Sequence, residues 1–147
     1  MAGQFLLLGL VGLFGALHLA SLTLAGPLDG LVLLVGIAEI AIGGFALLSG
    51  FRELGPNLTP MPRPLDDGSL VRDGIYARIR HPIYAGLMLA SIGWATATRS
   101  APAFAAAVAL CLFLDVKARR EEAWLVERYP DYEEYRLGTR RFLPRIY

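Results

Sequence analysis

The first 51 residues of the sequence lack any lysine or arginine, and their only acidic residues are Asp29 and Glu39. Charged residues make up 18% of the whole chain, whereas soluble domains usually have roughly 25%. A soluble globule distributes charge over its whole surface, so this segregation excludes a soluble single domain. The formal net charge of +1 also argues against a nucleic-acid-binding protein, which would carry a basic stripe.

The sequence has few cysteines, and its N-terminus does not match the pattern of a signal peptide. Cys111 is the single cysteine, so an internal disulfide framework is excluded. The apolar stretch 4–26 has no basic residue before it, unlike a signal peptide, and we interpret it as a retained helix.

Long apolar runs dominate what is present, with 55% hydrophobic residues and a mean hydropathy of +0.49. They cover residues 4–26, 28–51, 82–98 and 101–114. The first two are long enough to cross a hydrocarbon core of ~30 Å. The fourth is short, but good helix formers continue it to residue 128. The runs predict an all-α, polytopic membrane protein with four transmembrane helices.

Basic residues flank these runs unevenly. Every lysine and arginine except Arg99 lies in the loop 52–81 or after Leu114. The positive-inside rule therefore predicts an integral plasma- or inner-membrane protein with both termini in the cytoplasm. We expect one membrane domain with an N-terminal transmembrane hairpin (1–51), a cytoplasmic proline-rich loop (52–81), a helical hairpin with an extension (82–128) and a cytoplasmic C-terminal helical tail (129–147).

Two polar clusters flank the last two runs, and simple counting brings them together. Starting from a turn at Ser100, His81 lies 19 residues back and Glu121 lies 21 residues on. At ~1.5 Å per helical residue, both lie about 30 Å from that turn on the same side. The antiparallel hairpin therefore predicts that the Arg-His-Tyr cluster of the third run faces the Glu-Glu pair after the fourth.

The facing groups suit a polar ligand. They offer donors for a carboxylate, acceptors for an ammonium or ribose diol, and an aromatic face for a cation or purine. The alternative is a set of interfacial anchors and solvated ion pairs, which are common at membrane boundaries.

A second pair of titratable residues lies deep in the first hairpin. Counting from a turn near Asp29 places both Glu39 and His18 about 15 Å into the membrane, so we expect them to face each other. Ionisable groups in lipid are functional candidates, and a mutual hydrogen bond is the structural alternative.

Small residues along the first two runs predict close helix packing. These residues are Gly9, Gly12, Gly15, Gly36, Gly43 and Gly44.

Several motifs together resemble a known family. The run Arg80-His81-Pro82-Ile83-Tyr84-Ala85-Gly86 is similar to the Arg-His-Pro-x-Tyr-x-Gly signature of the isoprenylcysteine carboxyl methyltransferase family. The segments Glu121-Glu122-Ala-Trp-Leu, Tyr132-x-x-Tyr135 and Arg141-Phe142-Leu143-Pro144 resemble its closing pattern. The resemblance covers about residues 55–147, and phospholipid N-methyltransferases share the Glu-Glu tail and the four-helix plan.

The resemblance implies methyl transfer from S-adenosylmethionine to a lipid or prenylated small-molecule acceptor at the bilayer. It places the cofactor between the third and fourth helices, capped by the tail, and implies no metal. The cofactor-binding residues that it carries over are Arg80, His81, Tyr84, Gly86, Glu121 and Glu122; Lys117 is a further candidate. We expect Gln at either glutamate to weaken cofactor binding and to leave the fold intact. The alternatives are a phospholipid N-methyltransferase, an NADPH-dependent membrane lipid or sterol reductase, and a non-catalytic membrane subunit.

Overall fold

The computed structural model describes residues 2–20, 26–57, 69–144 and 146. Within these residues it contains five α-helices, which are α1 (Ala2–Leu19), α2 (Pro27–Leu54), α3 (Pro82–Thr98), α4 (Ala101–Arg128) and α5 (Tyr132–Gly138). Short 3-10 turns cover Gly55–Asn57 and Gly74–Ala77. In the described part of the chain, strand pairing is limited to a parallel bridge between Ile79 and Arg140.

The helix bounds follow local sequence signals. Proline stands in the first turn of α2, α3 and α4, where its missing N–H leaves no hydrogen bond unmade. The left-handed Arg99 (φ 51°) ends α3, and the Ser100 side chain then accepts a hydrogen bond from the backbone N–H of Ala103 to begin α4. The predicted third helix and the predicted extension of the fourth to residue 128 are confirmed. The end of the first predicted run (21–25) and most of the proline-rich loop (58–68) lie outside the described residues.

Three helices, α1, α2 and α4, are long and apolar enough to cross a membrane. Helix α3 has 17 residues and is the shortest of the four apolar helices. The all-α membrane protein predicted from the sequence is confirmed, and a fourth crossing stays a prediction.

Glycines with seven-residue spacing join α2 to α3. Gly36 and Gly43 of α2 meet Gly93 and Gly86 of α3, respectively, and Gly50 meets Pro82 and Ile83 at the start of α3. A Cβ atom added to Gly43 would lie 2.7 Å from the carbonyl oxygen of Gly86, and one added to Gly86 would lie 2.5 Å from that of Gly43. A seven-residue repeat keeps the small residues on one face, so the two backbones touch along both helices.

Among the described residues, helix α1 packs on α3 and α4. Its Val11 is buried against Ala106 and Ala107 of α4, and Trp94 of α3 packs on the same cluster. The indole of Trp94 fills the space beside Gly15. The N-terminal transmembrane hairpin expected at 1–51 stays a prediction, and in the described residues the glycine face of α2 packs on α3.

The packing of α2 on α3 determines which groups surround Glu39, the residue expected to pair with His18. Glu39 lies against α3, with its Cβ beside Gly93. Its Oε2 atom is buried and has no hydrogen-bond partner in the described part of the chain. His18 is exposed near the end of α1. The mutual hydrogen bond is thus not made at this oxygen.

Adjacent glycines of α2 provide a matched test of the α2–α3 contact. A Cβ at Gly43 would meet the backbone of Ala90 and Gly86 at 2.7 Å, whereas one at Gly44 has nothing within 4 Å. We expect Gly43→Ala to lower the free energy of unfolding by about 1–3 kcal/mol through overpacking. Gly44→Ala should be neutral or stabilising by up to about 1 kcal/mol, since alanine favours helix. Thermal unfolding in detergent measures both, and equal midpoints would contradict the contact.

Candidate functional site

The start of α3 and the polar continuation of α4 form one cluster. His81 immediately precedes α3, and Tyr84 lies one turn inside it. His81 Nδ1 is 3.8 Å from Glu121 Oε2, and His81 Nε2 is 3.3 Å from Glu122 Oε1. The predicted approach of the Arg-His-Tyr cluster to the Glu-Glu pair is confirmed, because the rise per residue brings these positions to the same level.

Glu122 is the centre of an ion-pair network. Its side chain is 4% exposed, and Arg80 Nε lies 2.8 Å from its Oε1 atom. Arg141 of the tail approaches from the other side, with its Nη2 2.8 Å from Glu122 Oε2. Arg80 also donates to the carbonyl oxygen of Thr139 at 2.7 Å. A buried carboxylate is tolerated when it is paired and hydrogen-bonded in this way. The network ties α3, α4 and the tail together.

The tail is also held through its backbone. The N–H of Arg80 donates to the carbonyl oxygen of Arg140 at 2.8 Å, and that of His81 donates to Arg141 at 3.1 Å. The Tyr135 hydroxyl of α5 donates to the carbonyl oxygen of Tyr76 at 2.6 Å. Burial raises the pKa of Tyr135 to about 12, although nearby arginines oppose the shift. These bonds fix the residues that precede α3.

Glu121 has different partners from its neighbour. The Tyr84 hydroxyl donates to Glu121 Oε1 at 2.6 Å. Lys117 Nζ lies 3.8 Å from the same carboxylate and 4.9 Å from the centre of the Tyr84 ring. The rings of His81 and Tyr84 are stacked, with centroids 5.4 Å apart. The Glu121 side chain is 15% exposed, so its carboxylate is more accessible than that of Glu122.

Gly86 differs from the other predicted site residues, because it contacts α2. The space where its Cβ would lie is filled by Gly43 and Leu47 of α2. The structure thus gives Gly86 a role in helix packing, because removing its side chain lets α2 come close. The other five residues of the predicted set lie together.

Two contributors were missed by sequence reasoning. Gln4 of α1 accepts a hydrogen bond from Lys117 Nζ at 3.0 Å, and the signal was a lone amide at the start of an apolar run. Arg141 was identified from the sequence only as part of a motif. No sequence pattern near Arg141 indicates that it pairs with Glu122. Among the described residues, no group of three or more His, Cys, Asp or Glu side chains is placed to hold a metal ion.

Fold and site together define an all-α integral membrane protein with a polar cluster where two of its helices leave the apolar region. The sequence profile of the phospholipid methyltransferase family matches residues 31–132. The chain therefore belongs to this family.

Two known proteins are similar over part of their length. The cobalt-zinc-cadmium resistance protein CzcN of Cupriavidus metallidurans is 32% identical over 81 residues, which is 54% of this chain and 38% of CzcN. The structure of the eukaryotic intramembrane Ras methyltransferase ICMT (isoprenylcysteine carboxyl methyltransferase) superposes with a TM-score of 0.71 at 24% identity. That match covers 78% of this chain and 43% of ICMT, and it shows a shared fold. The chain thus spans less than half the length of both proteins.

Because Glu122 is buried, we expect its substitution to affect the stability of the fold. Gln at this position leaves Arg80 and Arg141 without their carboxylate, and breaking a buried ion pair costs about 3–5 kcal/mol. We therefore expect Glu122→Gln to lower the thermal unfolding midpoint in detergent strongly. The sequence-based expectation that this variant spares the fold assumed a wet interface, whereas the Glu122 carboxylate is buried and paired with two arginines.

Glu133→Gln is the matched control. Glu133 pairs with Arg136 at an exposed position, with 51% of its side chain accessible. Its loss should cost less than about 1 kcal/mol. Equal midpoints for the two variants would show that the Glu122 network does not stabilise the fold.

Proposed function

We propose that this protein is a membrane methyltransferase that uses S-adenosylmethionine and acts on an amphiphilic, lipid-like acceptor. The observation that carries the proposal is the convergence of His81, Tyr84, Lys117 and Glu121 beside a buried ion pair. The family match covers the same region, since it extends from residue 31 to residue 132.

The exposed part of the cluster fits the chemical groups of the cofactor. The Tyr84 ring already lies beneath the Lys117 ammonium, so its face accepts a cation such as a sulfonium. The Glu121 carboxylate is a suitable acceptor for a ribose diol or an ammonium group. His81 Nε2 is buried 3.3 Å from Glu122 Oε1, so we propose His81 Nδ1, which lies 3.8 Å from Glu121 Oε2, as the donor for a carboxylate.

Arg80 and Glu122 hold these groups in place. The Arg80 guanidinium is engaged by Glu122 and by the Thr139 carbonyl oxygen, so we assign it a positioning role. The backbone of His81 is fixed by the tail at the same point. Of the residues that the resemblance carries over, we therefore propose His81, Tyr84 and Glu121 as direct contacts and Arg80 and Glu122 as their support. Gly86 supports the site through α2.

When bound, the cofactor supplies an activated methyl group. The protein has to orient the acceptor and exclude water, and such alignment accounts for much of the rate of a displacement reaction. A carboxylate acceptor needs no base. An amine acceptor must first lose its proton, and we propose His81 and Glu121, which both contact Tyr84, as candidate bases.

We further propose that α3 is a fourth crossing and that both termini are cytoplasmic. Helix α3 lies along α2, which is long enough to span. Arg99 at the end of α3 pairs with Asp29 at the start of α2, so both helices end at the same level.

Cysteine accessibility tests this topology in a Cys111→Ala background. Ala101→Cys, which is exposed at the start of α4, should react with an impermeant maleimide only from the outside of cells. Glu134→Cys, exposed on α5, should react only from the cytoplasmic side of inverted vesicles. Labelling of both residues from one side would contradict the four-crossing arrangement.

Cofactor binding tests the proposed function. We expect S-adenosylmethionine to raise the melting temperature of the purified protein, since a ligand that prefers the folded state stabilises it. Glu121→Gln should weaken binding by about 10- to 150-fold, which corresponds to losing a charge-assisted hydrogen bond of about 1.5–3 kcal/mol. Titration calorimetry measures this change, and methyl-labelled cofactor with a panel of lipid acceptors identifies the product.

Glu133→Gln, remote from the cluster, is again the control and should bind like the wild type. Unchanged affinity in Glu121→Gln would remove Glu121 from the site. A melting shift with NADPH but none with S-adenosylmethionine would favour a reductase, and no shift with either would favour a non-catalytic subunit.

A further inference from the structure

The arginines on the polar side of the protein fall into two groups. Five of them pair with carboxylates, and these pairs are Arg72–Asp131, Arg80–Glu122, Arg119–Asp115, Arg136–Glu133 and Arg141–Glu122. Arg78 and Arg140 belong to the second group with Arg52, because none of these guanidiniums has a carboxylate partner among the described residues. The one hydrogen bond of the Arg140 guanidinium in that part of the chain goes to the carbonyl oxygen of Thr139, at 3.3 Å.

Arg78 and Arg140 line the same cleft. Its volume is about 650 Å³, and its lining residues are Ala77, Arg78, Leu137, Gly138, Arg140 and Pro144. The Arg140 N–H donates to the Arg78 carbonyl oxygen at 3.4 Å, so the backbone holds the two residues side by side. The part of the lining that the structure describes contains two cationic residues, apolar residues and no acid. Such a cleft is complementary to an anion that also has an apolar part.

Exposed apolar side chains lie in the tail outside the predicted spans, and one of them, Leu137, lines the cleft. Leu137 is 80% exposed, Leu143 is 53% exposed and Ile146 is 77% exposed. Arg78 lies four residues before Pro82, the first residue of α3, so the cleft is at the level where α3 leaves the apolar region. Arginines at this level attract anionic lipid headgroups, while neighbouring apolar side chains contact the acyl chains.

We propose that the cleft between Arg78 and Arg140 binds the phosphate of an anionic membrane phospholipid, with Leu137 against its acyl chain. The site is separate from the cofactor cluster, since none of the cluster residues lines it. A lipid explains the exposed leucine better than a free phosphate compound does, because only the lipid covers that side chain. Bound lipid then anchors the tail, which carries Arg141, to the membrane surface.

Native mass spectrometry of the full-length protein in detergent tests this proposal, with phosphatidylglycerol and phosphatidylcholine as probes. We expect wild-type protein to retain phosphatidylglycerol preferentially. An arginine near the headgroups contributes about fivefold in affinity, so Arg78→Gln with Arg140→Gln should lose about 30-fold. Leu137→Ser should also weaken retention. The melting temperature without lipid should stay unchanged, because both guanidiniums are exposed and form no ion pair in the described residues.

Arg52→Gln is the matched control. Arg52 is exposed at the end of α2, lies outside the cleft and has no carboxylate partner in the described part of the chain. We expect this variant to bind phosphatidylglycerol with an affinity within about twofold of wild type, which is the precision of the measurement. The proposal is overturned by wild-type retention in the double variant, by an equal loss in Arg52→Gln, or by equal binding of phosphatidylcholine. Full displacement by an equal concentration of glycerol phosphate would assign the cleft to a soluble phosphate compound instead. None of these readouts depends on methyl transfer.

Discussion

The buried carboxylate of Glu122 is the constraint on which the polar end of the protein depends. A charge in a largely apolar chain must be paired, and its two arginines come from opposite sides of the sequence. Arg80 precedes α3, whereas Arg141 belongs to the tail. The same carboxylate therefore sets where α3 begins and where the tail lies. His81 and Tyr84 are ordered as a result, because they follow Arg80 directly.

The packing of α2 against α3 in the apolar region determines where the polar end lies along these helices. Gly50, near the end of α2, allows close contact with Pro82 and Ile83 at the start of α3. The Tyr76 hydroxyl donates to the Gly50 carbonyl oxygen at 3.3 Å, and Glu53 accepts from the Ile75 N–H at 2.6 Å. The glycine contact between two helices is thus continuous with the hydrogen bonds that position the site. A shift of α2 along α3 would displace both.

The helical rise made part of the site predictable. Because each residue advances a helix by a fixed distance, counting from Ser100 was enough to bring His81 to Glu121. The partners of α1 and α2 were harder to predict, since runs that are apolar on every side do not mark a buried face. The seven-residue spacing of Gly36, Gly43 and Gly50 was the available signal, and it is matched by the spacing of Gly86 and Gly93.

The different roles of Glu121 and Glu122 were not predictable from the sequence. Neighbouring residues on a helix point in different directions, and only the fold shows which direction meets the tail. Arg141 lies 19 residues further along the chain, so its contact with Glu122 has no local pattern. The same holds for Gln4 and Lys117, which are 113 residues apart.

The sequence separation of the two arginines also orders the events of biosynthesis. Arg80 is synthesised 42 residues before Glu122, so this partner is present when the carboxylate is made. Arg141 follows Glu122 by 19 residues. At ribosomal rates of about 5–20 residues per second, that gap lasts about 1–4 seconds. Both guanidinium partners therefore exist only after the ribosome has translated the tail, so the complete cluster forms late in biosynthesis.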